Sequence, residues 1–450
     1  MKMGGRKPPP SNPNALPHGF VPTRALPVSW LPEPFRIPAY RAYWVARLST
    51  TIAMMALVIV MGWQVYGIAR QTMGVEAASL RLGFIGLIQF IPLFFLTLVT
   101  GWVADRVDRR WIVRASVAVQ IVCATALALL AWDHSTTLVA LYVVAALLGV
   151  AQAFSAPALQ ALAPNLVPRE ILPRAIALSS IAWQTGAIAG PAIGGYLYAI
   201  APVVPYAGAA LLLAIALACL MVIPPVAVTR LARGLNPWHQ MIEGLRYVRH
   251  NRLVLGAISL DLFAVLLGGA TAMLPVYARD ILHSGPEGLG HLRAAPAVGA
   301  TLTAAFFAFR PLKSDVGLKM LLAVAVFGAS TIIFGFSRSM PLSLACLTLL
   351  GAADMFSVYV RQSLIQLHTP DEMRGRVGAV SSLFISASNE LGEAESGFLA
   401  SLIGPVAAVI AGGIGAVLVV AIWARQFPEL RLAKSFDPPD LSGNPQQEGA

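Results

Sequence analysis

The sequence predicts an all-α membrane protein: twelve transmembrane helices arranged as two pseudo-symmetric six-helix bundles. Three observations carry that reading. Of 450 residues, 57% are hydrophobic and only 12% charged, about half the charged share that a soluble domain needs for its polar skin. Apolar runs of about 20 residues, enough for a helix to cross a hydrocarbon layer ~30 Å thick, recur along most of the chain. A stretch of the first half also returns without a gap 202 residues later.

Residues 1–40 contain ten prolines and no apolar run, and are expected to be a disordered, polyproline-like cytoplasmic tail. A secretory signal would place its apolar core near the start, so none is expected. The first bundle, 41–223, holds apolar runs at 44–68, 82–103, 112–132, 137–161, 175–199 and 203–223. A linker, 224–253, follows, with Trp238, Ile242, Leu245, Val248 and Leu253 at helical spacing beside Arg246, Arg249 and Arg252. That pattern predicts a basic amphipathic helix lying on the inner leaflet. The second bundle, 254–426, holds runs at 254–277, 292–309, 318–336, 341–366, 377–402 and 404–424, and 427–450 form a second cytoplasmic tail.

With the N-terminus in the cytoplasm, the even-numbered connections and both tails hold 25 of the 32 Lys and Arg, and the outer connections hold five. Arg47 and Arg361 fall within spans. This is the positive-inside bias, and it is expected to put both termini in the cytoplasm. The net charge of +11 forms no basic stripe with interleaved aromatics, so nucleic acid is not an expected partner. Cys123, Cys219 and Cys346 stand in separate apolar runs without metal-ligand spacing. None of the five lysines stands in a phosphate-binding loop, and no nucleophile elbow or zinc helix motif occurs. No metal, cofactor or enzymatic activity is expected, and the chain is expected to act as a monomer within the lipid bilayer.

Sliding the chain by 202 residues superimposes Pro168–Ala199 on Pro370–Ser401 and matches ten of 32 positions, among them Glu170/Glu372, Arg174/Arg376, Gly190/Gly392 and Gly195/Gly397. An offset of six spans preserves the direction of crossing. The halves are then related by an axis along the membrane normal, with a central site between them, as in transporters built from parallel repeats.

Between runs 2 and 3 lies Gly-Trp-Val-Ala-Asp-Arg-Val-Asp-Arg-Arg, residues 101–110. Gly101 permits close helix approach, Asp105 can pair with Arg109 or cap a helix, and Arg106, Arg109 and Arg110 can bind carboxylates or helix C-termini, so the loop could latch the halves or simply hold positive charge inside. It resembles the loop 2–3 signature of the major facilitator superfamily at Gly101, Asp105, Arg106, Arg109 and Arg110, with Asp108 in place of the usual glycine. That departure is similar to the secretion-effector branch, which includes enterobactin-type exporters. Gly186, Gly190, Pro191, Gly194 and Gly195 resemble the fifth-span signature of proton-coupled exporters in the superfamily, and also form a small-residue face for tight packing. The segments from Asp261 and from Ser386 resemble the same branch, whereas residues 309–319 are a decayed copy of the loop 2–3 signature that keeps Arg310 and Lys313.

Ionisable residues inside spans are costly, about 2.5–3.5 kcal/mol each at a helix centre, and therefore need a partner, a pocket or a task. The candidates are Arg47 in run 1, Asp261 in run 7, Asp354 in run 10, and Glu390 and Glu393, with Glu395, in run 11. The resemblance implies that spans 1, 4, 7 and 10 line a central cavity. Asp261 is expected to pair with Arg47 across it, either as a fixed structural pair or by exchanging that partner for a proton or substrate. Glu393 takes the repeat position of Pro191 and is expected where spans 2 and 11 meet, as a charge-locked gate or a structural carboxylate. Asp354 and Arg361, seven residues apart, are expected too distant along the axis for direct contact.

The expected function is proton-coupled efflux of a small amphiphilic molecule, siderophore or drug-like, by alternating access. An uptake symporter of the same fold and a non-transporting membrane sensor or scaffold are the alternatives.

Overall fold

The structure, a computed structural model, describes residues 32–104, 107–225, 237–310, 312 and 314–436. A 3-10 turn, Glu33–Arg36, leads into α1 (Pro38–Ala69), followed by α2 (Val75–Ala104), α3 (Arg109–Trp132), α4 (Leu138–Leu166), α5 (Leu172–Ile200) and α6 (Val203–Val222). After α7 (Pro237–His250) come α8 (Arg252–Leu267), a 3-10 turn Ala270–Met273, the short α9 (Leu274–Val276) and a π-helical turn Tyr277–Ile281. The chain continues through α10 (Gly285–Phe309), α11 (Val316–Phe336), α12 (Met340–His368), α13 (Asp371–Ile403), α14 (Pro405–Gln426) and α15 (Pro428–Arg431).

Among the described residues, eleven segments are long and apolar enough to cross a membrane, with 252–281 taken as one. The twelfth long helix, α13, spans 33 residues, but its charged residues lower its apolarity. It packs along α2, α8 and α14, so protein rather than lipid covers much of its surface. Several helices begin earlier than the apolar runs. As a result Arg81 and Arg293, counted above with the outer connections, lie inside α2 and α10. The seventh span is not one helix: α8 ends at Gly268, and the Gly268–Gly269 pair passes close to the Phe327 ring, the Gly392 carbonyl and the Ser396 hydroxyl, where a Cβ would collide.

Helices α1–α6 pack together, and so do α8–α14. The two groups meet along two seams, α2 with α13 and α5 with α10. These seams are symmetric counterparts, because α5 and α13 are the repeated segment. A Cβ on Gly290 of α10 would sit 2.7 Å from the Pro191 carbonyl of α5, and one on Gly86 of α2 would sit 2.7 Å from Cβ of Glu393, the repeat position of Pro191. Both contacts lie in the half of the molecule remote from the chain termini, here called the far end.

The linker forms the expected helix, α7, and part of it docks on the second bundle. Glu243 of α7 pairs with Arg376 of α13 at 2.5 Å, and the Tyr247 hydroxyl donates to the His368 carbonyl at 2.7 Å. Val248 is buried among Val254, Ile258, Ile365, Val377 and Val380, while Ile242 and Leu245 stay exposed. The apolar stripe is therefore divided, with part of it docked on the second bundle and part left outward.

Candidate functional site

The most buried charges form one cluster inside the second bundle. Asp261 of α8 is 5% exposed and ion-paired with Arg361 of α12, itself 2% exposed. Asp354, two turns before Arg361 on α12, lies within electrostatic reach of both and is only partly covered. The Arg361 Nε is buried without a hydrogen-bond partner among the described residues. The cluster thus holds two carboxylates for one guanidinium, and Asp354 is its accessible member.

This corrects the expected Arg47–Asp261 pair. Asp261 is closed in by its own bundle, so the cheapest way to neutralise it is the local cation on the adjacent α12. Arg47 stands one turn beyond Tyr43 on the face of α1 that packs on α5, where the Tyr43 and Ser179 hydroxyls are 2.9 Å apart. Its Nε is likewise buried without a partner among the described residues. Seven residues separate Arg361 from Asp354 and no ion pair joins them among the described residues, yet Asp261 on a neighbouring helix places all three groups in one electrostatic unit.

A second group lies where the bundles meet. Glu393 pairs with Arg293 of α10 at 3.4 Å, and Arg293 also donates to the Thr271 carbonyl at 3.2 Å. Gln89, Val58 and Gly62 of the first bundle complete the walls of a cavity of about 40 Å³ at this point. Glu390, one turn earlier on α13, is within electrostatic reach of Glu393 and Arg293. Its backbone carbonyl crowds Gly86 of α2. The sequence reading missed Arg293 because it placed the start of that span at residue 292, while the helix begins two turns earlier.

The far end is closed by polar contacts that no motif announced. Asp280 accepts from the Tyr66 hydroxyl and pairs with Arg70 at 3.3 Å. The Tyr196 hydroxyl lies 2.9 Å from His291 Nε2, and Arg279 lies over the Trp63 ring at 5.7 Å. Their only advance signal was the i, i+4 spacing of Tyr66 and Arg70, which puts both on one helix face.

The loop 2–3 residues are only partly visible. Gly101 falls in α2; Asp105 and Arg106 lie outside the described residues. Arg109, the first residue of α3, makes an interaction of its own. Asp108 caps α3, accepting from the Arg110 backbone N–H at 3.0 Å and from the Arg110 guanidinium at 2.6 Å. Arg110 donates to the Ile223 carbonyl at 3.0 Å, and Arg114 to the Leu220 carbonyl at 2.8 Å, so both satisfy the C-terminal carbonyls of α6. These bonds stay within the first bundle, which corrects the expected latch between halves for Arg110. Hydrogen bonds from Arg110 hold the Asp108 carboxyl below its ordinary range. Its contribution to stability is therefore present above the ordinary carboxylate value near ~4 and lost as pH falls through the lowered one. Asp108→Ala is expected to cost about 1–2 kcal/mol, with Asp108→Asn, which retains a cap, losing less; thermal melting of the purified protein at neutral pH checks the order.

Of the fifth-span residues, Gly186, Gly190 and Gly194 abut Thr51, Ile52, Met55 and Ala56 of α1; a Cβ would clash at Gly186 and Gly190 and be tight at Gly194. Gly195 instead meets Pro286 and Gly290 of α10. Pro191 sits within α5, its carbonyl against Gly290. The motif therefore packs one bundle and closes the seam to the other. Among the described residues no cluster of His, Cys, Asp and Glu could hold a metal ion.

Two helical bundles joined by parallel seams around buried charges define a membrane transporter of the major facilitator fold. Solved structures of similar shape include the nucleoside transporter NupG, with TM-score 0.68 at 12% identity over 86% of this chain and 100% of that one. Another is a D-xylose-proton symporter, with TM-score 0.66 at 12% identity over 87% of this chain and 98% of that one. A third is a bacterial homolog of the human lysosomal transporter Spinster in an inward-facing, occupied conformation, with TM-score 0.67 at 14% identity over 89% and 99%. The family described as Transmembrane secretion effector matches residues 29–444, and the chain belongs to it. Relatives named enterobactin exporter EntS, from Shigella boydii serotype 18 and Escherichia coli O139:H28, are 26% identical over 402 residues, covering 89% of this chain and 94% of theirs. The family and these relatives are transporters, not enzymes, and the protein is a multi-pass membrane transporter.

Proposed function

We propose that this transporter exports a small amphiphilic molecule, of siderophore or drug-like class, across the bacterial cytoplasmic membrane in exchange for protons, with both termini cytoplasmic. The observation that carries the coupling is the imbalance of the Asp261–Arg361–Asp354 cluster, one buried and one partly covered carboxylate around one guanidinium. An excess charge in a low-dielectric interior is costly, and one proton removes it. Asp354, the partly covered member, takes up the proton, while Asp261 stays with Arg361. The likeness to relatives named enterobactin exporter supports the outward direction and the amphiphilic cargo. Arg47, a cation whose Nε has no partner among the described residues, is the first bundle's counterpart for an anionic group on the cargo. The far-end contacts of Tyr66, Arg70 and Asp280, with the Glu393–Arg293 pair behind them, form the gate that opens toward the outside.

One charge crossing a 100 mV potential supplies about 2.3 kcal/mol, enough for roughly fifty-fold accumulation. Inside-out vesicles containing the protein should accumulate a labelled siderophore or drug when their lumen is acidified, and Asp354→Asn should abolish the dependence on the proton gradient while leaving downhill flux. Accumulation only in right-side-out vesicles would make the protein an uptake symporter. Unaltered gradient dependence in Asp354→Asn would remove that residue from coupling.

A further inference from the structure

On the flank of the second bundle, α10 and α11 both pack along α12 but scarcely touch each other. The gap between them is a groove of about 730 Å³, within the ~300–1,000 Å³ range of small-molecule sites. Ala352, Ala353 and Phe356 of α12 form its floor, Phe306 of α10 and Val326 of α11 its walls. Phe307, stacked on Tyr359 at 4.3 Å, stiffens the α10 wall. These floor residues lie on a different face of α12 from Asp354 and Arg361, so the groove is separate from the charged cluster.

Apart from the Thr303 hydroxyl, the polar groups that line the groove stand at its rim. Arg310, just past the end of α10, and Lys319, in the first turn of α11, stand over the apolar floor. Lys319 donates to the Ser314 carbonyl and hydroxyl at 2.7 and 3.1 Å, which leaves one of its three protons available. Arg310 is exposed and pairs with no carboxylate among the described residues. Thr303, deepest on α10, is seven residues from Arg310, about 10 Å along the helix, against ~15 Å for half a hydrocarbon layer. The rim therefore falls near the headgroups and the floor among the acyl chains. An apolar trough roofed by two cations matches a lipid carrying a net negative phosphate better than a zwitterionic one, whose own ammonium would face those cations.

We propose that this groove binds an anionic phospholipid from the leaflet nearest the chain termini, with Arg310 and Lys319 holding the headgroup phosphate and the α10–α12 trough an acyl chain. The test uses the full-length protein with phosphatidylglycerol or phosphatidylcholine of identical chains, and native mass spectrometry to read retained lipid. The parent should retain phosphatidylglycerol preferentially. Arg310→Gln with Lys319→Gln should lower that retention roughly thirty-fold without changing phosphatidylcholine. Val326→Trp, which fills the trough and leaves both cations in place, should lower retention of phosphatidylglycerol as well. Equal retention of the two lipids by the parent, or phosphatidylglycerol retention unchanged in the double variant, overturns the proposal. Should the double variant fail to fold, undiminished phosphatidylglycerol on Val326→Trp overturns it alone.

Discussion

Arg361→Gln should be among the most damaging single substitutions in this chain. It leaves Asp261 buried at 5% exposure with no counter-ion, beside Asp354. Removing one partner of a buried ion pair costs about 3–5 kcal/mol, because the remaining charge has lost water and gained nothing. That is a large part of the stability of a typical domain. The pair Asp261→Asn with Arg361→Gln should recover most of the loss, since the fully buried carboxylate no longer stands unpaired and the partly covered Asp354 can take up a proton; thermal melting in detergent of the two single variants and the double one gives the coupling directly. The doubly substituted protein should nevertheless lose proton-driven accumulation if the cluster couples transport, because Asp354 then lacks the cation that sets when it releases its proton. Equal melting temperatures for Arg361→Gln and the double variant would show that the unpaired Asp261 carboxylate is not the source of the loss.

The architecture was legible in the sequence because membrane insertion leaves few choices. A backbone crossing lipid must bond internally, so length and apolarity suffice to mark most helices. The repeat at Pro168 and Pro370 relates the halves, and its matched positions Pro191 and Glu393 both stand at a seam, against Gly290 and Gly86 respectively. Partners of buried charges were not legible, because they depend on which helix faces are adjacent. Asp261 chose Arg361 over Arg47 through the packing of α8 beside α12. Arg293 and Asp280 were hidden for a related reason: Asp280 stands in a turn at a helix end, and Arg293 at the edge of an apolar run whose helix starts two turns earlier, where hydropathy places boundaries poorly. Asp108 shows the opposite case. It departs from the superfamily pattern, yet its short carboxylate explains itself locally as the cap of α3 and the anchor of Arg110.

Gly83→Leu should shift the transporter toward a state open at the far end. A Cβ at this position would lie 2.8 Å from Cα of Gly397 and 3.3 Å from the carbonyl oxygens of Glu393 and Ala394, so backbone stands against backbone and no side chain can swing aside. Forcing bulk into such a contact costs about 1–3 kcal/mol, and the cost falls on the conformation in which α2 and α13 touch here. A state with the far end parted escapes it. The ratio of the two states then changes by roughly five- to 150-fold, enough to make a minor state dominant without any change in ligand affinity. Thr72 and His283 are exposed at the far ends of the two bundles and serve as spin-label sites in a background free of the three native cysteines. Distances between them should lengthen in Gly83→Leu, and Asp280→Asn, which weakens the Tyr66 and Arg70 contacts instead, should lengthen them in the same direction but less. Transport should fall in Gly83→Leu because the cycle cannot readily return to the closed seam. An unchanged distance distribution in a folded Gly83→Leu protein would mean that the α2–α13 seam is a permanent joint, and the moving boundary would have to be sought along α5 and α10.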